Sequence, residues 1–114
     1  LTELEAAFIR HTDRGHAPVL DKDRATGVIF LCPACYHTNG GDVGTHRVIC
    51  WSRSAGAPED IAPGPGRWKM DGDDLAELTL NSEHPRGARS VKLERGCAWH
   101  GFITNGKATS SGAT

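Results

Sequence analysis

The sequence predicts a small, mostly β domain with a short N-terminal helix. Two observations carry the β reading: apolar runs of four to seven residues rich in Val, Ile and Phe, and glycine- or proline-bearing turns between them. A third bounds it, because 114 residues suit one domain, and 38% hydrophobic content with 14 glycines and 6 prolines is lean for a self-sufficient core. A chain of this kind needs an additional staple.

The elements follow in order. Leu1, Leu4, Phe8 and Ile9 fall on one helical stripe, with Thr2 as cap and Glu5 closing a capping box, so residues 1–10 read as a short amphipathic helix. His11 to Asp23 is polar and irregular, and residues 1–26 are expected to form a helix and arm ahead of a β domain over 27–108. Within that domain, strands are predicted over 27–31, 45–51, 75–80, 90–93 and 101–104. Asn105-Gly106 after the last of these is a type I′ hairpin signal. Residues 109–114 are small and polar and read as a tail.

Two short motifs carry chemistry. Cys32-Pro33-Ala34-Cys35 and Cys97-Ala98-Trp99-His100 each place two soft or borderline donors at a spacing that lets one turn supply two corners of a tetrahedron. Together they predict one closed zinc site of Cys32, Cys35, Cys97 and His100, in a zinc-ribbon-like arrangement that ties the start of the β domain to its end. A disulfide framework competes with this reading, but the chain carries no secretory h-region, and x-x spacing beside six histidines favours metal in a reducing cytoplasm. The first residue is Leu1, which is compatible with a removed leader or a trimmed chain.

The remaining donors define alternatives. His46 and Cys50 share one face if 45–51 is a strand, so either can replace a ligand or line a pocket; Cys50 otherwise reads as a small buried hydrophobe. His37 reads as a neighbour of the knuckle, and His11, His16 and His84 as surface residues.

Composition excludes other classes. With 13 basic and 14 acidic residues there is no global field for nucleic acid, and no apolar run reaches membrane-spanning length. A deaminase needs a His-x-Glu element, which is absent. A zinc-dependent hydrolase with a pocket around His46 and the glycine-rich 39–45 loop is the enzymatic alternative, with Asp42 and Arg67 as orienter and anion clamp. A binding module fits better. The proline-glycine excursion over 57–67, ending in Arg67-Trp68, offers a stiff lip with an aromatic anchor for a protein partner, with Asp42 on the neighbouring loop. A nucleic-acid-binding zinc module is the further alternative, on Arg86, Arg89, Lys92 and Arg95, although Glu83 and Glu94 dilute that cluster.

Phe30 to Cys35, the glycines of 39–41, Gly44-Thr45-His46, Cys50-Trp51, Pro65 to Trp68 and Cys97 to Gly106 resemble the pattern of a family of short zinc-binding proteins from tailed bacteriophages and bacteria. The likeness spans residues 27–107, or 81 of the 114. It implies a zinc-binding fold, a phage or prophage origin, and a host-cell cytoplasmic setting in which a host factor is the expected partner. It implies no particular reaction.

Overall fold

The computed structural model describes residues 2–63, 66–83, 89–93 and 99–110. The central strand, β3 (Gly27–Leu31), is the continuous apolar run Gly-Val-Ile-Phe-Leu, whose residues are buried on both faces apart from a half-buried Ile29. It sits in a four-stranded antiparallel sheet of order β2-β1-β3-β4, with β1 (Ala7–Thr12), β2 (Gly15–Val19) and β4 (Arg47–Trp51). A two-stranded sheet pairs β5 (Trp68–Asp71) with β6 (Thr79–Ser82). A three-stranded sheet runs β7 (Val91–Lys92), β8 (His100–Thr104), β9 (Lys107–Ser110). The only α-helix among the described residues, α1 (Pro33–Asn39), joins β3 to β4.

The mostly β expectation holds, and β3, β4, β7 and β8 lie where the sequence placed strands. The N-terminus is a correction. Among the described residues of 1–26, helix is confined to two 3-10 turns, Thr2–Leu4 and Lys22–Arg24, and the segment read as helix and irregular arm supplies β1 and β2. Phe8 pairs with Val28 and Ile9 with Gly27, so β1 is stitched directly to β3 across the boundary drawn at residue 26. The radius of gyration, 13.1 Å, is the value for one folded body of this length, about 13 Å. In the 75–80 region the strand begins later than expected, at Thr79, because residues 72–78 form the turn that returns from β5.

The main sheet buries both faces. One face carries Phe8, Val28, Phe30, Val48 and Cys50 into the principal core, which Met70, Leu78 and Leu80, then Val91, Trp99 and Ile103, complete from the two smaller sheets. On the other face, Ile9, Gly27 and Trp51 form one row across three strands. Gly27 leaves the space that the Trp51 ring occupies: an added Cβ would sit 2.7 Å from its Cε3. Ala57 and Ile61, from the loop after β4, close over this second cluster.

Polar ties hold the sheets together. Lys22 Nζ donates to the Gly72 carbonyl at 2.6 Å, and Gly106 N–H to that of Leu78 at 2.7 Å. Glu83 accepts from the Ser54 N–H at 3.0 Å and from the buried Ser52 hydroxyl at 3.3 Å, anchoring the end of β6 beside the end of β4.

Candidate metal centre

Cys32 ends β3 and caps α1, with Pro33 at the first helical position, where its fixed φ and missing N–H cost nothing. Cys35 lies in the first turn of that helix. The helix stops after two turns at Gly40 (φ 69°), whose N–H reaches the carbonyls of Tyr36 and His37. The chain then folds back through a loop tied to itself: Asn39 Nδ2 donates to Thr45 Oγ1 at 3.1 Å, and that hydroxyl donates to the Gly41 carbonyl at 2.7 Å. The loop delivers His46 to the mouth of β4.

The β3–β4 register then decides what His46 faces. Leu31 pairs with Arg47, and one rung further the Cys32 N–H donates to the His46 carbonyl at 2.9 Å. Directly opposed residues of an antiparallel pair project to the same face. Cys32, Cys35 and His46 consequently offer two sulfurs and one ring nitrogen that all lie within 4.8 Å of one another. Tetrahedral ligands at the Zn–S distance of about 2.3 Å are separated by roughly 3.8 Å, so this group can hold a metal ion after a small contraction. It is graded in exposure: Cys32 is buried, Cys35 half-buried and His46 exposed.

Among the described residues, the gathered donors overlap the expected set in part. Cys32 and Cys35 stand together as read, and the imidazole gathered with them is His46, the alternative, while His100 is not a member of the group. His100 opposes Lys92 at the start of β8, and its ring lies 6.5 Å from that of Phe102. Cys97 lies outside the described residues.

Cys50 shares a strand face with His46, as expected, but opposes Val28 four rungs away, about 13 Å along the strand. It is part of the principal core, and burial pushes its thiol far above the ordinary range.

The expected lip is turned inward. The Arg67 guanidinium donates to the carbonyls of Pro58, Glu59, Ile61, Pro63 and Gly66 at 2.6 to 3.2 Å, so it organises its own loop. Trp68, expected to be exposed, is half-buried and packs on the principal core. Asp42 is exposed on the loop before His46, and its backbone carbonyl accepts from the Thr45 N–H at 3.0 Å. His37 is exposed beside the knuckle. Of the basic cluster, Arg86 and Arg95 lie outside the described residues, as does His84. No described helix is long and apolar enough to cross a membrane. No family model, curated protein or solved structure matches the chain.

Proposed function

We propose that the chain is a non-catalytic binding module stapled by one structural zinc, held by Cys32, Cys35 and His46 with Cys97 as the fourth ligand. The observation that carries this is the convergence of two thiols and an imidazole at the junction of β3, α1 and β4. Soft sulfur donors with one imidazole select zinc over hard cations, and the three-cysteine, one-histidine composition of the sequence reading is kept with His46 in the place of His100. Cys97 is the donor type that remains. Trp99, two residues after it in sequence, packs edge-on against Phe30, two residues before Cys32, with ring centroids 6.3 Å apart.

Metal binding on the order of 10 kcal/mol is the kind of staple a lean core needs. The phage or prophage origin belongs to the same proposal. A partner is met on an outward sheet surface, since Arg67 and Trp68 are engaged within the fold.

Native mass spectrometry of the wild type and three variants tests this. One zinc per chain is expected in the wild type and in His100→Ala, and loss of zinc in His46→Ala and Cys97→Ser. Zinc retained by His46→Ala would overturn the ligand set. Zinc retained by a folded Cys97→Ser would leave a corner for water and bring forward the second reading, a hydrolytic centre, which the exposure of His46 favours.

A further inference from the structure

The three-stranded sheet has two faces of opposite character. Inward, Val91 and Ile103 are buried in the principal core and Ala108 packs against it. Outward stand the alternate residues: Lys92 opposite His100, Phe102 opposite Thr109, and Thr104 opposite Lys107. Phe102 is half-buried in the middle of this face, with the His100 ring tilted 32° beside it. The Arg89 guanidinium lies over Phe102, 5.5 Å from its centroid, and donates to Thr104 Oγ1 at 2.7 Å. Lys92 and Lys107 are exposed on either side.

Among the described residues of this face the charge is of one sign. Residues 89–93 and 99–110 contain Arg89, Lys92 and Lys107 and no Asp or Glu. The near-neutral total conceals a division along the chain: residues 1–83 hold 8 basic and 13 acidic side chains, and residues 84–114 hold 5 and 1. A face serving solubility alone mixes signs and keeps aromatic rings inward. Here a ring stands outward with three cations around it.

We propose that the outward face of β7, β8 and β9 binds single-stranded nucleic acid, with bases stacking on Phe102 and His100 and with Lys92, Arg89 and Lys107 taking the phosphates. Aromatic platforms on a basic sheet accept unstacked bases of any sequence, whereas a duplex hides its base faces and demands an element that enters a groove. The proposal rests on reading the chain as a binding module and does not depend on which metal staples it.

Fluorescence anisotropy of a labelled oligothymidylate and a labelled oligouridylate, titrated with the full chain, tests it against a duplex, heparin and an acidic peptide. Zinc content and thermal midpoint are recorded for every variant. Tighter binding of the single strands than of the three competitors is expected. With about three phosphate contacts, the logarithm of the affinity should fall with the logarithm of salt at a slope near −2. Phe102→Ala should weaken binding at least about fivefold, the low end for loss of one stacked base. Lys92→Glu with Lys107→Glu, at exposed positions that leave folding and zinc intact, should abolish binding. No single-strand binding at low salt, binding unchanged in the double charge reversal, or equal binding of duplex and heparin would each overturn the proposal. Preference for the acidic peptide would overturn it in favour of a protein partner. Failure of the wild-type chain, with its zinc retained, to bind the oligonucleotides refutes this face alone, and oligonucleotide binding by a folded wild-type chain that holds no zinc refutes the staple alone.

Discussion

Cys50 and Gly27 show how much a single position in the main sheet is constrained. The Cys50 thiol is held neutral by burial, so its thiol–thiolate equilibrium favours the thiol more in the folded than in the unfolded state. The folded chain therefore binds more protons once pH rises past the ordinary thiol value of about 8.5, and its stability contribution is complete below that pH and eroded above it. Thermal midpoints of wild type and Cys50→Ala should converge as pH rises from about 8 to 10, and a thiol reagent should reach Cys50 only on unfolding. At Gly27, a methyl group meets both Trp51 Cε3 and, at 2.8 Å, the Cys50 carbonyl. Gly27→Ala is expected to cost about 1–3 kcal/mol, read as a lowered denaturation midpoint. The knuckle cysteines are legible from spacing because one turn determines their geometry. The gathering of His46 with them is not, since it requires the β3–β4 register, and no local pattern fixes a register.

Among elements, the β8–β9 hairpin and the 57–67 loop make contrasting cases. Asn105 (φ 49°) and Gly106 (φ 74°) adopt the two positive angles of a type I′ turn, as their dipeptide foretells. Gly106 also docks so closely on the 75–78 segment that a Cβ would lie 2.2 Å from the Ala76 carbonyl. Gly106→Ala should therefore destabilise by about 1–3 kcal/mol, more than turn strain alone, and loosen amide protection in both β6 and β8 by hydrogen exchange. The prolines and glycines of the 57–67 loop suggest a stiff lip, but those residues say nothing about where an arginine points. With five carbonyls on its guanidinium, Arg67→Ala is expected to speed proteolysis within the loop and lower stability by about 1–3 kcal/mol. The sequence hides β1 for a related reason. Phe8 enters the principal core and Ile9 the second cluster, so two consecutive residues are buried on opposite faces and the alternation that marks a half-buried strand is missing there.

For the whole molecule, the β class was legible because class depends on composition and run length. The division of labour among the three sheets was not, since Lys22 and Gly72, Ser52 and Glu83, and Gly106 and Leu78 meet only through long-range folding. The proposed zinc staple would make global stability depend on metal by mass action. Chelation is expected to lower the thermal midpoint, and each tenfold rise in free zinc above its dissociation constant should add about 1.4 kcal/mol.

The candidate donors gathered in the described structure all fall between Cys32 and His46, within fifteen consecutive residues. Bringing such near neighbours together costs little loop entropy compared with docking β8 and β9 onto the distant β3. On the proposed zinc site, these three donors would take the ion early in folding and set the β3–β4 register before Cys97 and the remote sheets arrive. Refolding should accelerate when zinc is present from the first moment and gain little when it is supplied late, because by then the chain has already had to find that register unaided.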